Sequence, residues 1–137
     1  PLSFVNSGVT HAVLLVEAAE DVPLKAWGQI VRFHPLFQPA GTNVNFVQKI
    51  ADNTILVRTY ERGVEDETMA CGTGAVASAL FAALAGLVQS PVAIKTSGGE
   101  RLTIFFDLQE GPRADNVFLQ GPARIIYEGS LTAEALL

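Results

Sequence analysis

From Ala75 to Val88 the chain runs for 14 residues without a charged side chain and, apart from Ser78, without a polar one. A helix with no polar face has to be enclosed by protein. This one carries Ala75, Ala77, Ala79, Ala82, Ala83, Ala85 and Gly86, small residues that let strands approach closely. The run is too short for a membrane span and lies far from the position of a signal peptide. The expected fold is therefore α+β: a curved, mixed or antiparallel, barrel-like β-sheet wrapped around one central apolar helix.

The rest of the chain supplies the strands for such a sheet. His11 to Glu17 is rich in Val and Leu, Asn43 to Ile50 alternates, and Thr54 to Tyr60 follows across the turn Asp52-Asn53. Pro91 to Thr96 and Arg101 to Leu108 flank Ser97-Gly98-Gly99-Glu100, the pattern of a β-hairpin. Val117 to Gln120 and Ala123 to Glu128, separated by Gly121-Pro122, complete the expected strands. One surface helix is predicted near Pro23 to Phe33, with Asp21 as its cap and Leu24, Trp27, Ile30 and Val31 on the stripe facing the sheet. With 137 residues and 49% hydrophobic content, residues 1–137 are expected to form a single domain. A net charge of -5 without a Lys/Arg cluster argues against nucleic acid or an anionic membrane as partner. One cysteine forms no internal disulfide, and the expected location is cytoplasmic.

That cysteine, Cys71, stands in Met69-Ala70-Cys71-Gly72-Thr73-Gly74, where a charged loop gives way to the apolar helix. Unpaired amides and the positive end of the helix dipole favour a thiolate there and can hold an anion. Gly72 and Gly74 have no side chain to keep a ligand off those amides. Arg62 adds a carboxylate-binding cation nearby in sequence, and Glu61 a proton-handling or hydrogen-bonding partner. A lone cysteine is more often a small buried hydrophobe. The glycines, Thr73 and the helix start reverse that reading here. Neither His11 nor His34 has metal-ligand spacing to Cys71, and the loop lacks the lysine and spacing of a phosphate-binding motif.

The run Glu61-Arg62-Gly63-Val64-Glu65-Asp66-Glu67-Thr68-Met69-Ala70-Cys71-Gly72-Thr73-Gly74 closely resembles the C-terminal cysteine signature of the diaminopimelate epimerase family. Asn6 to Val13, His34 to Phe37 with Gly41 to Val47, and Val117 to Ala123 resemble further family segments in the same order, so the resemblance covers almost the whole chain. It implies a diaminopimelate epimerase-like domain. It also implies a PLP-independent isomerase, without cofactor, that interconverts LL- and meso-diaminopimelate for lysine and peptidoglycan synthesis. The family has two pseudo-symmetric domains and two cysteines, one on each face of the substrate α-carbon. This chain has one cysteine and corresponds to the C-terminal catalytic half.

Inversion needs a base on one face and an acid on the other. The chain by itself is therefore expected to be inactive, its partner being a missing N-terminal domain with the second cysteine. A truncated piece, a proteolytic fragment and one part of a split enzyme all fit that expectation. An uncovered mouth would also leave surface for a homodimer.

By resemblance, Cys71 is the acid/base thiol, and the amides of Gly72, Thr73 and Gly74 hold the reacting carboxylate. Asn43 and Arg62 bind the distal end of diaminopimelate. Glu61 and His11 tune the thiol's protonation. Many members have Gly-Asn-Pro-His where this chain reads Gly8-Val9-Thr10-His11, and Val9 cannot make that asparagine's contact with substrate. Asn6 is the nearby amide that could replace it, its plainer reading being a loop residue. His34 is read as structural, Glu65, Asp66 and Glu67 as a solvated loop, and Thr68 as a local cap. Two other readings stay open: half of a proline racemase-like isomerase, and a non-catalytic carboxylate-binding or assembly module.

Overall fold

The computed structural model describes residues 2–136. Eight strands form one sheet: β1 (Leu2–Asn6), β2 (Thr10–Leu15), β3 (Asn43–Ala51), β4 (Thr54–Glu61), β5 (Asp66–Thr68), β6 (Val92–Thr96), β7 (Arg101–Leu108) and β8 (Ala114–Gln120). Their order is β1-β2-β3-β4-β6-β7-β8, with β5 added to β4 beside that path. Two neighbouring pairs, β2–β3 and β4–β6, are parallel and the rest antiparallel. Parallel neighbours require a crossover, and both crossovers are helical. The first is α1 (Leu24–Arg32) and the second α2 (Gly72–Leu84).

The strand pleat sends alternate residues to opposite faces. Val13, Val47, Ile55, Val57, Ile94 and Ile104 point inward and pack against Ala75, Ala77, Ala79 and Ala82 of α2. Val44, Phe46 and Tyr60 point outward, where Leu24 and Val31 of α1 cover them. The alanine face of α2 lets the sheet curl tightly around it, as the apolar run predicts. Enclosure is incomplete, however. β1 and β8 are the two ends of the strand path and do not pair, and between them lies a groove of about 470 Å³ lined by Val76, Leu80 and Leu84.

Several expectations need correcting. The segment Ala123 to Glu128 is not a strand: it has no neighbour to pair with, and Ile125, Ile126 and Tyr127 are 81%, 92% and 86% exposed. A strand-like composition needs a partner edge before it becomes a strand. On α1, Ile30 is 68% exposed and off the sheet, while Trp27, about half exposed, still sets its ring 6.4 Å from that of Phe46. The closest approach is made at Gly28, beside Leu24 and Val31, and a Cβ on Gly28 would come 2.5 Å from Tyr60 Cγ. Asp21 does not cap this helix; Pro23 occupies the N-cap position without a side-chain hydrogen bond. α2 begins earlier than its apolar run suggests, with Cys71 as N-cap, and stops at Leu84, followed by Gly86 at φ 72°.

The acidic loop is also structured. Asp66, Glu67 and Thr68 form β5, and each of the three carboxylates has a cationic partner: Glu65 with Arg32, Asp66 with Lys25, Glu67 with Arg58. Arg58 makes two hydrogen bonds to Glu67, at 2.8 and 2.7 Å, and donates to the carbonyls of Ala19, Glu20 and Val22. It thereby ties β5 and the approach to α1 onto β4. Thr68 caps no helix; its hydroxyl donates to Glu61.

Candidate functional site

The strand ends nearest the start of α2 carry polar residues on their inner face. β2 contributes His11, β3 contributes Asn43 and Asn45, and β4 contributes Thr59 and Glu61, each separated from the next inward residue by the two-residue pleat. His11 and Asn45 are fully buried, Asn43 and Thr59 nearly so. Cys71 enters this setting in extended conformation, half-buried, and ends the loop that β5 anchors.

Thr73, in the first turn of α2, links the thiol to the strands. Its Oγ1 lies 3.6 Å from Cys71 Sγ and 3.0 Å from His11 Nε2. Burial pushes the Cys71 thiol above its ordinary range; hydrogen bonds from Thr73 and the Gly74 amide pull the other way, and Glu61 pushes it up further. The expectation of a helix terminus favouring thiolate is thus corrected: desolvation and the Glu61 carboxylate outweigh the donors. At neutral pH Cys71 holds its proton. Burial acts oppositely on a base, and His11 is held below the usual histidine range, hence neutral.

Gly74 allows a close approach: a Cβ there would lie 3.0 Å from Asn45 Nδ2 and 3.2 Å from Cys71 Sγ, so either neighbour would have to give. Asn43 Oδ1 accepts the Arg62 backbone N–H at 2.7 Å, which fixes the start of the loop after β4. The Arg62 guanidinium donates to Ala40 O at 2.8 Å and has no carboxylate partner among the described residues. The surface ion pair that would make it unremarkable is therefore absent there.

The structure thus brings Cys71, Thr73, Gly74, His11 and Glu61 together, with Asn43 and Arg62 beside them and Gly72 exposed at the helix start. Asn6 stands apart: it is exposed, and its Oδ1 accepts the Gly8 amide in a local turn. The adjacent Ser7 reaches α2, donating to Thr73 O at 2.8 Å. Ser7, Asn45 and Thr59 are members that sequence reasoning missed. For Asn45 a signal existed, a second asparagine two residues after Asn43 on the same face of the strand; Ser7 and Thr59 carry no such local signal. His34 caps the short 3₁₀ turn Pro35–Phe37 through Nδ1, in keeping with a structural role.

Cys71 lines neither the groove between β1 and β8 nor a cavity of about 450 Å³ floored by Leu56 on the outer side. Among the described residues no cluster of His, Cys, Asp or Glu is placed to hold a metal ion, and no helix is long and apolar enough to cross a membrane.

Comparison with known proteins converges on one family. Its model, diaminopimelate epimerase, matches residues 3–126. The diaminopimelate epimerase of Aquifex aeolicus (strain VF5) is 52% identical over 136 residues, which cover 97% of this chain and 47% of that protein. That of Hydrogenobaculum sp. (strain Y04AAS1) is 44% identical over 134 residues, 96% of this chain and 46% of the other. The chain therefore spans about half the length of the curated relatives it matches. A solved PhzF-family phenazine biosynthesis protein from Bacillus anthracis shares the fold with a TM-score of 0.54 and 22% identity, covering 80% of this chain and 34% of that one.

Proposed function

Because the chain belongs to the diaminopimelate epimerase family, we propose that it supplies one catalytic face of an epimerase acting on diaminopimelate, with Cys71 as the acid/base thiol. The observation that carries this reading is the half-buried thiol at the N-terminus of α2, hydrogen-bonded through Thr73 to a neutral, buried His11. The curated relatives bear the name of the activity, and the chain matches about half their length.

On this proposal the substrate carboxylate sits against the first amides of α2, which have no intrahelical acceptor and stabilise charge as the α-carbon loses its proton. A thiolate from outside this chain takes the α-proton on one face, and the Cys71 S–H, held protonated by burial and Glu61, delivers a proton to the other. In the reverse direction Cys71 is the base, and the Thr73 and Gly74 donors stabilise the thiolate it has become. Pyridoxal phosphate has no part in this route. Arg62, without a carboxylate partner among the described residues, and Asn43 bind the distal amino acid end of the substrate. Residues 1–137 carry one thiol and by themselves do not invert the centre; the second thiol belongs to an N-terminal half that closes over Cys71 and excludes water. Lysine and peptidoglycan synthesis, and a cytoplasmic location, follow from that activity.

The test is epimerisation of LL-diaminopimelate in deuterated water. The chain is assayed alone, then with a separately made N-terminal half containing the second cysteine. Turnover with both halves, lost in Cys71→Ser, is the expected result. Turnover by the chain alone would overturn the two-thiol reading; none with both halves folded and associated would favour a non-catalytic binding module.

A further inference from the structure

Asn45 is fully buried, and its Nδ2 lies 3.1 Å from Gly74 O, 3.2 Å from His11 Nδ1 and 3.4 Å from Ser78 Oγ. A carbonyl oxygen only accepts, so Gly74 fixes which way the amide points: reversed, it would set two acceptors against each other. The NH2 group therefore faces His11 Nδ1. A proton on Nδ1 would meet that donor head-on, so the neutral imidazole carries its proton on Nε2. Nε2–H then donates to Thr73 Oγ1 at 3.0 Å. A hydroxyl that accepts from the imidazole turns its own proton elsewhere, and Cys71 Sγ is 3.6 Å away.

We propose that Asn45 is a positioning residue for the reaction: by holding His11 in the Nε2–H form it commits the Thr73 hydroxyl to donate to the Cys71 sulfur. The arrangement leaves Asn45 Oδ1 buried with no donor among the described residues. A side chain present only to fill space would not carry that penalty. The effect grows when the sulfur becomes anionic, because a hydrogen bond to a charged acceptor is the stronger kind. Glu61 and Arg62 are the charged groups acting on the cluster, and both are unchanged in the variants below. The inference rests on the reading of Cys71 as the acid/base thiol, but its test does not depend on turnover.

The His11 tautomer is read in the 137-residue chain by two-bond ¹H–¹⁵N correlation, and Cys71 reactivity by the rate of alkylation with iodoacetamide at neutral pH. The expected results are a protonated Nε2 and a bare Nδ1, with alkylation about tenfold slower in Thr73→Val. Thr73→Ser restores the rate. Asn45→Ala slows alkylation by part of that factor, and the double variant is no slower than Thr73→Val alone, because Asn45 acts through Thr73. A proton on Nδ1, additive effects of the two substitutions, or an unchanged rate in Thr73→Val would each overturn the proposal. Should Asn45→Ala fail to fold, the tautomer of the unaltered chain and the Thr73 pair still decide. Unchanged thiol reactivity alongside epimerisation that requires Cys71 would remove the relay and leave the functional reading intact.

Discussion

At the N-terminal end of α2 the sheet points His11, Asn43, Asn45, Thr59 and Glu61 inward, whereas further along the same three strands it points Val13, Val47, Ile55 and Val57. The backbone is continuous between the two ends, and so is the helix they surround. Apolar packing at one end supplies the cohesion that lets the other end bury polar groups, one of them without a partner. A buried acceptor left unsatisfied costs about 1–3 kcal/mol. That cost is tolerable only on a scaffold held elsewhere. The division also fits the position of the thiol: at the helix start the apolar interior gives way to hydrogen-bonding groups.

Substitutions at the two ends should therefore separate stability from thiol chemistry. The largest loss of stability is expected at the apolar end, where Ile55→Ala opens a cavity beside the α2 alanines and costs about 2–5 kcal/mol in urea unfolding. Alkylation of Cys71 should be unchanged in that variant under folding conditions. Next comes Gly74→Ala at the boundary, whose new Cβ crowds both Asn45 and Sγ; about 1–3 kcal/mol of stability should go, and thiol reactivity should change with it. Glu61→Gln belongs to the polar end and should do the reverse of Ile55→Ala. Stability stays within about 1 kcal/mol, while alkylation at neutral pH rises several-fold because a charge opposing the thiolate is gone.

The smallest effect is the pH dependence that His11 adds. Its pKa in the fold lies below the ordinary 6.5, so below that pH the unfolded chain binds a proton that the folded chain refuses. Stability from this source is complete above the ordinary value and declines as pH falls through the folded one. Replacing His11 by Gln should flatten that limb of the unfolding profile. Equal pH dependence in both proteins would mean that the histidine ionises freely, against the contrast drawn here.

The apolar end was the more legible in sequence. Period-two alternation and the Gly98-Gly99 turn identify β3, β4, β6 and β7 within a residue or two, because Val47, Ile55, Val57, Ile94, Leu102 and Ile104 set a clear apolar rhythm. β5 escaped because Asp66 and Glu67 look like solvent-exposed charge; only the positions of Lys25 and Arg58 show that they are paired. Ile125-Ile126-Tyr127 erred in the opposite direction, since strand propensity says nothing about whether a neighbouring edge exists. At the polar end, Cys71 and its glycines were legible from local order alone. The upward push on the thiol was not, because desolvation depends on how strands far apart in sequence close around the helix.

The pH dependence of Cys71 alkylation in the unaltered chain is the most direct measurement of how the polar end treats its thiol. A midpoint above the ordinary cysteine range, moving down in Glu61→Gln, is the predicted result and would show the polar end holding a protonated thiol ready to act as an acid. A midpoint below that range, insensitive to Glu61, would contradict it and return the site to the simpler picture of a thiolate stabilised by the helix terminus alone.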